Sequence, residues 1–330
     1  MIKNTNSYEY FISIVIPVYN GSQTIGSCLR SVFQSSYPNF ECIIVDDHSN
    51  DNTLDFVESF DVKIIRLNKQ KGAAYARNRG AEAAKGDVLV FIDADVEIYS
   101  DSLNKILRTF EDNPEISALF GSYDDQPWSQ NFLSQYKNLF HHYIHQTSGE
   151  DAVTFWTGCG AIKREFFFQV GKFNEGCRMM EDVEFGYRLK AKDFKIRLNK
   201  QLFVRHLKRY SFLSLLKSDL FDRAVPWTIL MLDNRKYTND LNLKPNHKLS
   251  AFVLMLLIMS IFLIIKSVWF GLAIPVLSVL FFLMNYDFYR FYLKKRGMVF
   301  TLKVVPLHFL YYIYSSLGFL IGYYKYYIRK

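Results

Sequence analysis

Beyond residue 249 the chain carries three long apolar runs almost without charge, and these limit its fold more than any other feature. Residues 249–265 and 267–286 contain no charged side chain, and residues 304–324 hold only His308 as a titratable base. Each run approaches or reaches the ~20 residues needed to cross ~30 Å of hydrocarbon. Three such runs in succession point to a membrane region of two or three transmembrane helices. Lys266 and its neighbours alone separate the first two runs, so these should form a hairpin. Arg235, Lys236, Lys244 and Lys248 precede the hairpin and Lys294-Lys295-Arg296 follow it, which places both flanks on the cytoplasmic side. The third run is ambiguous. Spanning would put Lys325, Arg329 and Lys330 outside, against that rule, and Pro306 and many tyrosines also suit a re-entrant or interfacial helix.

The preceding two-thirds of the 330 residues alternate apolar runs with turn residues, as a water-soluble domain does. The net charge of +8 suits nucleic acid, an anionic membrane surface or a phosphorylated substrate. Much of the excess lies late, beside the apolar runs, and no nucleic-acid motif is present. A membrane surface is therefore expected, and nucleic acid is not. The four cysteines, Cys28, Cys42, Cys159 and Cys177, show no C-x-x-C spacing and read as reduced, mostly buried thiols rather than a zinc site or a disulfide framework. Residues 1–10 are polar and lack the apolar core of a signal peptide, so the water-soluble part is expected to stay cytoplasmic in an integral protein of the cell membrane.

Periodicity predicts strands over 11–18, 40–45, 62–67 and 88–92 and helices over 24–34, 51–60 and 73–84. Thr53 is expected to help start the second helix, and Lys85-Gly86 to end the third. Such alternation implies a doubly wound sheet with parallel strands, whose ligands bind beyond the carboxyl ends of the strands. Three of these strands end in polar clusters, Tyr19-Asn20, Asp46-Asp47 and Asp93-Ala94-Asp95, which should share one rim. Residues 113–180 resist reading apart from a short helix at 164–170. The glycines of Trp156-Thr157-Gly158-Cys159-Gly160 suggest a close backbone approach. Residues 181–191 form a helix with acidic residues first and basic residues later, in keeping with its dipole. From Ser211, apolar residues fall on one helical face that can lie in a membrane interface or against a core; Pro226 ends or kinks this helix. The expected division is a catalytic domain at 1–210, an amphipathic juxtamembrane segment at 211–248 and a membrane region at 249–330.

The pattern Phe91-Ile92-Asp93-Ala94-Asp95 carries the most chemistry. Two carboxylates two positions apart at a strand end can share one hard cation, Mg²⁺ or Mn²⁺, which keeps its other positions for water and phosphate oxygens.

At this point the chain resembles the family 2 glycosyltransferases of the GT-A fold. The matching pieces are Ser13-Ile14-Val15-Ile16-Pro17-Val18-Tyr19-Asn20, Ile44-Val45-Asp46-Asp47-His48-Ser49, Gly72-Ala73-Ala74-Tyr75-Ala76-Arg77-Asn78-Arg79-Gly80 and Gly86-Asp87-Val88-Leu89-Val90-Phe91-Ile92-Asp93-Ala94-Asp95. Gly171-Lys172-Phe173-Asn174-Glu175 and Glu181-Asp182-Val183-Glu184-Phe185-Gly186-Tyr187-Arg188-Leu189 follow. The resemblance covers roughly residues 11–210. It implies a Rossmann-like α/β catalytic domain with a mixed, doubly wound sheet, followed by the C-terminal transmembrane helices.

By the resemblance, Pro17, Tyr19 and Asp47 line a nucleotide-base pocket and Arg77 faces the nucleotide. Asp93 contacts the ribose or a metal-bound water, and Asp95 ligates the metal. His206 matches a histidine that can touch the metal or diphosphate. Trp156 and Gly158 match an acceptor-side loop. Asp182 matches the base of an inverting transfer, with the adjacent Glu181 as the alternative. Arg223 can face the phosphates or a phosphorylated lipid, or be a charge at the membrane surface. The implied donor is a UDP- or GDP-sugar, and the implied acceptor is a lipid-linked or nascent glycan at the membrane lipid. His48 stands where glycine or asparagine is frequent. The Gln-x-x-Arg-Trp motif of processive synthases is missing; residues 222–227 read Asp-Arg-Ala-Val-Pro-Trp, which argues for addition of a single sugar.

Two other classes compete. A dehydrogenase needs G-x-G-x-x-G after the first strand, where Pro17-Val18-Tyr19-Asn20-Gly21-Ser22 stands instead, and a nucleotidyltransferase would show a basic glycine-rich loop there. A non-catalytic membrane scaffold derived from such an enzyme is opposed by the intact Asp93, Asp95, Glu181 and Asp182.

Overall fold

The computed structural model describes residues 10–234 and 245–329. The polar residues 1–9 and the flanking charges Arg235, Lys236, Lys244 and Lys330 lie outside the described residues. The chain divides into two compact units, one of residues up to 130 with 145–209, the other of 131–144 with 210 onward.

The first unit begins with β1 (Ile12–Val18), α1 (Ile25–Phe33), β2 (Phe40–Asp46), α2 (Thr53–Val57), β3 (Lys63–Arg66), α3 (Ala73–Ala83) and β4 (Val88–Ile92). It continues with β5 (Val96–Ile98), α4 (Ser102–Asp112) and β6 (Ile116–Tyr123). After α5 (Phe132–Thr147), most of which groups with the second unit, come β7 (Asp151–Ala152), β8 (Cys159–Lys163), α6 (Arg164–Val170), α7 (Glu181–Ala191) and β9 (Lys195–His206). The strand order is β3-β2-β1-β4-β8-β6-β9-β5, with β7 also on β9.

The strands β1 to β4 pair in parallel, while β8 runs antiparallel between β4 and β6, so the sheet is mixed. Side-chain alternation gives it two buried faces. Ile12, Ile14, Ile16 and Val18 of β1 join Val88, Val90 and Ile92 on one face, with α1 and α4. Val15 joins Val45, Leu89 and Phe91 on the other, with α3, α6 and α7. All four cysteines are free thiols, and only Cys177 is partly exposed.

Several local readings differ from the structure. The second helix is cut to Thr53–Val57; it does start at Thr53, whose hydroxyl accepts from the Gly21 N–H at 2.8 Å. Gly86 does not cap α3, which ends on Ala84 in extended backbone. Gly86 is instead a close approach: a Cβ there would lie 2.5 Å from the Ser13 nitrogen. Gly186 plays the same part on α7, where a Cβ would lie 2.4 Å from the Phe155 nitrogen and 2.6 Å from the Thr154 backbone. Backbone cannot yield as a side chain can. Gly186→Ala is therefore expected to cost about 1–3 kcal/mol, read as a lower urea midpoint with unchanged slope.

The second unit holds α8 (Phe212–Asp219), a π-helical turn at Leu220–Ala224, α9 (Val225–Asp233), α10 (Pro245–Leu263), α11 (Val268–Met284) and α12 (Tyr286–Arg329). Pro226 does not end the helical path. It lacks the N–H that would bond the Asp222 carbonyl, and the path widens into the π-turn just before it. Helices α10 and α11 form the expected hairpin. Pro245–Leu263 and Tyr286–Ile328 are long and apolar enough to cross a membrane; α11 is shorter, at 17 residues. The third apolar run is the later part of α12, which is broken at Gly297, where φ is +79°. Gly318 and Gly322 seat α12 against the preceding helices, because a Cβ on them would lie 2.5 Å from Ala224 Cβ and 2.7 Å from Thr228 Cβ.

Candidate active site

The carboxyl ends of β1, β2 and β4 are neighbours in the first unit's sheet. Hydrogen bonds tie the first two clusters together: the Asp47 N–H donates to the Val18 carbonyl at 2.8 Å and the Asn20 N–H to the Ser49 hydroxyl at 2.9 Å. Asn20 and His48 both have left-handed backbone, φ +50° and +68°. This explains why glycine or asparagine suits the position of His48, and histidine is among the side chains that tolerate that region. Pro17 is half-buried within β1, opposite Val45. Tyr19 is 44% exposed, so its ring face can meet a planar ligand. Asp47 is buried, with Oδ1 accepting from the Lys71 N–H at 2.6 Å and Oδ2 from the Gly72 N–H at 2.8 Å. Both oxygens thus pin the entry to α3, and any base contact would use their remaining lone pairs.

Helix α3 spends each residue of Arg77-Asn78-Arg79-Gly80 differently. Gly80 allows contact with β1, since a Cβ there would lie 2.3 Å from Val15 Cγ1. Asn78 holds the loop before α7, donating to the Phe173 carbonyl at 2.9 Å and accepting from the Phe173 N–H at 3.0 Å. Arg79 pairs with Glu82 at the surface, at 2.9 Å.

Arg77 is buried and forked. One Nη donates to Asp93 Oδ1 at 2.6 Å and the other to Glu181 Oε1. Burial works against its charge, but the Asp93 and Glu181 carboxylates outweigh this and hold the guanidinium above its ordinary value. Glu181 is thereby occupied. Asp182 beside it is not paired with the guanidinium; its Oδ1 accepts from its neighbour's Val183 N–H at 2.8 Å, and its Oδ2 lies 3.5 Å from the Thr157 N–H. Burial, then the Glu181 charge, push the Asp182 carboxyl up to about 7, against the pull of Arg77. A carboxyl titrating near neutrality can take a proton from a hydroxyl far better than an ordinary aspartate.

Asp95 lies 3.4 Å from His206 Nε2, where β5 pairs with the end of β9. Burial raises the Asp95 carboxyl, but His206 and Lys208 together bring it below the usual range. His206 stacks on Tyr123, centroids 4.4 Å apart, and Trp156 meets the same tyrosine edge-on at 4.7 Å. Gly158 lies beneath the indole: a Cβ there would be 2.1 Å from the Trp156 ring. No group of three or more His, Cys, Asp or Glu side chains gathers for a metal among the described residues. An Asp–His pair nevertheless fits a cation such as Mn²⁺ that draws most of its ligands from phosphate and water. The third candidate ligand, Asp93, is engaged by Arg77 instead.

Asp93, Arg77, Glu181 and Asp182 are thus brought together, as are Asp95, His206, Tyr123 and Trp156. Arg223 belongs to the second unit, where it contacts His141 at 2.9 Å. Tyr123 was missed by the sequence reading. It ends β6, inside the stretch that gave no clear period, and no local motif marks it.

Residues 13–171 match Glycosyl transferase family 2. An uncharacterized glycosyltransferase of Haemophilus influenzae is 32% identical over 192 residues, covering 54% of this chain and 61% of that protein. The UDP-Glc:alpha-D-GlcNAc-diphosphoundecaprenol beta-1,3-glucosyltransferase WfgD of Escherichia coli is 34% identical over 120 residues, 35% of this chain and 47% of that protein. The chain thus spans less than two thirds of the length of these curated relatives. Among solved structures, the mannosyltransferase PcManGT from Pyrobaculum calidifontis, in complex with GDP-Man and Mn²⁺, superposes with a TM-score of 0.60 at 15% identity, over 95% of this chain and 88% of that one. At that identity the likeness speaks for the fold alone. Sequence match and fold agree: residues 13–171 match glycosyl transferase family 2, and the chain has the GT-A fold.

Proposed function

We propose that the chain is an inverting glycosyltransferase that moves a single sugar from a nucleoside-diphosphate sugar to a membrane-associated acceptor, a lipid-linked or nascent glycan. One observation carries this reading: Arg77 holds Asp93 and Glu181 together and leaves Asp182 as a carboxyl raised to about 7 beside them.

Tyr19 offers a ring face to the base of a UDP- or GDP-sugar, and Pro17 and Asp47 complete that wall. Asp93, fixed by Arg77, accepts from the donor's ribose. Asp182 takes the proton from the acceptor hydroxyl as that oxygen forms its bond to the anomeric carbon and the bond to the nucleoside diphosphate breaks. Glu181 keeps Arg77 in place and, by its charge, raises its neighbour. Trp156, set by Tyr123 and Gly158, forms the acceptor-side wall. Asp95 and His206 would hold a divalent cation, Mn²⁺ or Mg²⁺, which when bound neutralises charge on the departing diphosphate.

The relatives and neighbours support this reading through what they are said to use: WfgD a UDP-glucose donor and a diphosphoundecaprenol-linked acceptor, PcManGT GDP-Man with Mn²⁺. Attachment to a membrane is supported by the outward side chains of the α10–α11 hairpin. Phe262, Ile265, Val268 and Trp269 are 72–88% exposed, an apolar surface that hydrocarbon accepts and water does not.

If Asp95 anchors the cation, Asp95→Ala should weaken donor binding in Mn²⁺ by about tenfold or more. Binding without metal should change little. Titration of donor with and without Mn²⁺ checks this, and an unaltered metal effect would remove Asp95 from that role.

A further inference from the structure

The second unit contains a charged cavity that the transfer reading leaves unused. It measures about 130 Å³ and is lined by Lys137, Asp219 and Arg223 together with Trp227, Met231 and Phe319. Lys137 and Asp219 form a buried ion pair, and the Tyr314 hydroxyl donates to Asp219 at 2.6 Å. Burial raises the Asp219 carboxyl, but Lys137 and Arg223 outweigh it and keep it below the usual range, so it is charged. Two cations against one anion leave the lining with one positive charge in excess.

A buried ion pair contributes little net stability compared with apolar packing, so packing alone gives no reason for it. Arg223 also sits in the π-turn Leu220–Ala224. The missing Pro226 N–H opens this turn, and such turns are frequent at functional sites. The remaining wall is mostly apolar, with Ala224, Trp227, Met231 and Phe319 beside the hydroxyl-bearing Thr228, Tyr311 and Ser315, and is partly built from α12, a helix long and apolar enough to cross a membrane. A free anion would use the cations but not this wall. A guanidinium with an apolar wall matches a phosphate head on a hydrocarbon tail.

The geometry points to a binding site for a phosphate-headed lipid in this cavity, with Arg223 as the principal contact to the head. The identification of that lipid as the acceptor's carrier rests on the proposed transfer; the site itself does not. Two sources share the chemistry, a lipid-linked phosphate and a bilayer phospholipid.

The test uses the full chain in detergent, titrated with a polyprenyl monophosphate, with phosphatidylglycerol and with inorganic phosphate, and followed by native mass spectrometry. Arg223→Gln should weaken binding of a tailed phosphate by tenfold or more. Ser315→Leu, which fills the cavity from α12 and leaves every charge in place, should do the same. Loss of the polyprenyl phosphate in both variants assigns the site to a lipid-linked substrate, and loss of phosphatidylglycerol alone assigns it to a bilayer headgroup. Unchanged binding of both lipids in both variants, or inorganic phosphate bound as tightly as either lipid, overturns the site. Donor binding by the wild-type chain without lipid is measured separately. Its absence would sink the transfer reading while leaving this site standing.

Discussion

Asp182→Asn should lower sugar transfer by about 10²- to 10⁴-fold while donor binding stays near the wild-type value. The substitution keeps the shape and removes the proposed proton acceptor. Glu181 cannot substitute, because Arg77 holds it. The pH dependence gives a second readout. With the Asp182 carboxyl raised to about 7, kcat/KM of the wild type should climb through that value and level off above it. Stability should move the other way. The folded state binds this proton more tightly than the unfolded chain, whose aspartate titrates near ~3.9. Between about pH 4 and about pH 7 the native state therefore carries more protons, and its stability falls as pH rises. Asp182→Asn should remove both slopes. Retention of the wild-type rate and of its pH profile in this variant would show that the base lies elsewhere.

Arg77→Met should be the most destabilising single change at the site, by about 3–5 kcal/mol. Its guanidinium is buried and holds two carboxylates, so its removal leaves Glu181 buried without a counter-charge beside Asp182. The lower figure is expected, because Asp93 is a third exposed and water can partly replace its partner. Arg77→Lys should recover only part of the loss, since one ammonium cannot reproduce the fork. Arg77→Met combined with Glu181→Gln should also recover part, because it removes the stranded charge. Chemical denaturation of the four proteins in one detergent checks the order. Equal midpoints for Arg77→Met and wild type would mean that the two ion pairs contribute nothing to the fold.

The first sheet strands were legible because their apolar runs end in turn residues. So were α6 and α7, where helical period and charge order coincide. The far side of the sheet was not. Strand β8 runs antiparallel between β4 and β6 and contains Cys159-Gly160-Ala161, small residues with weak strand preference, so pairing rather than propensity makes it a strand. Strand β9 carries Lys195, Arg197, Lys200 and Arg205 at spacings that hide its alternation. The site divides in the same way. Asp93-Ala94-Asp95 and Glu181-Asp182 could be found as local patterns, but the sharing of Arg77 by Asp93 and Glu181 links positions 16 and 104 residues apart. That link is what distinguishes the two adjacent carboxylates, and no spacing rule contains it. Glycines gave a mixed result. Gly158 and Gly160 are the close approaches that the sequence suggested, while Gly86 looked like a helix stop and is instead packed against the β1 backbone.

The measurement that tests the central claim most directly is a titration of the full chain with UDP-, GDP- and dTDP-sugars, each with and without Mn²⁺. The account predicts that one nucleotide class binds, that Mn²⁺ tightens it, and that Asp95→Ala loses the metal effect while Asp182→Asn keeps it. Binding of no nucleotide sugar under either condition would contradict the account and favour a chain that keeps the GT-A fold without its chemistry.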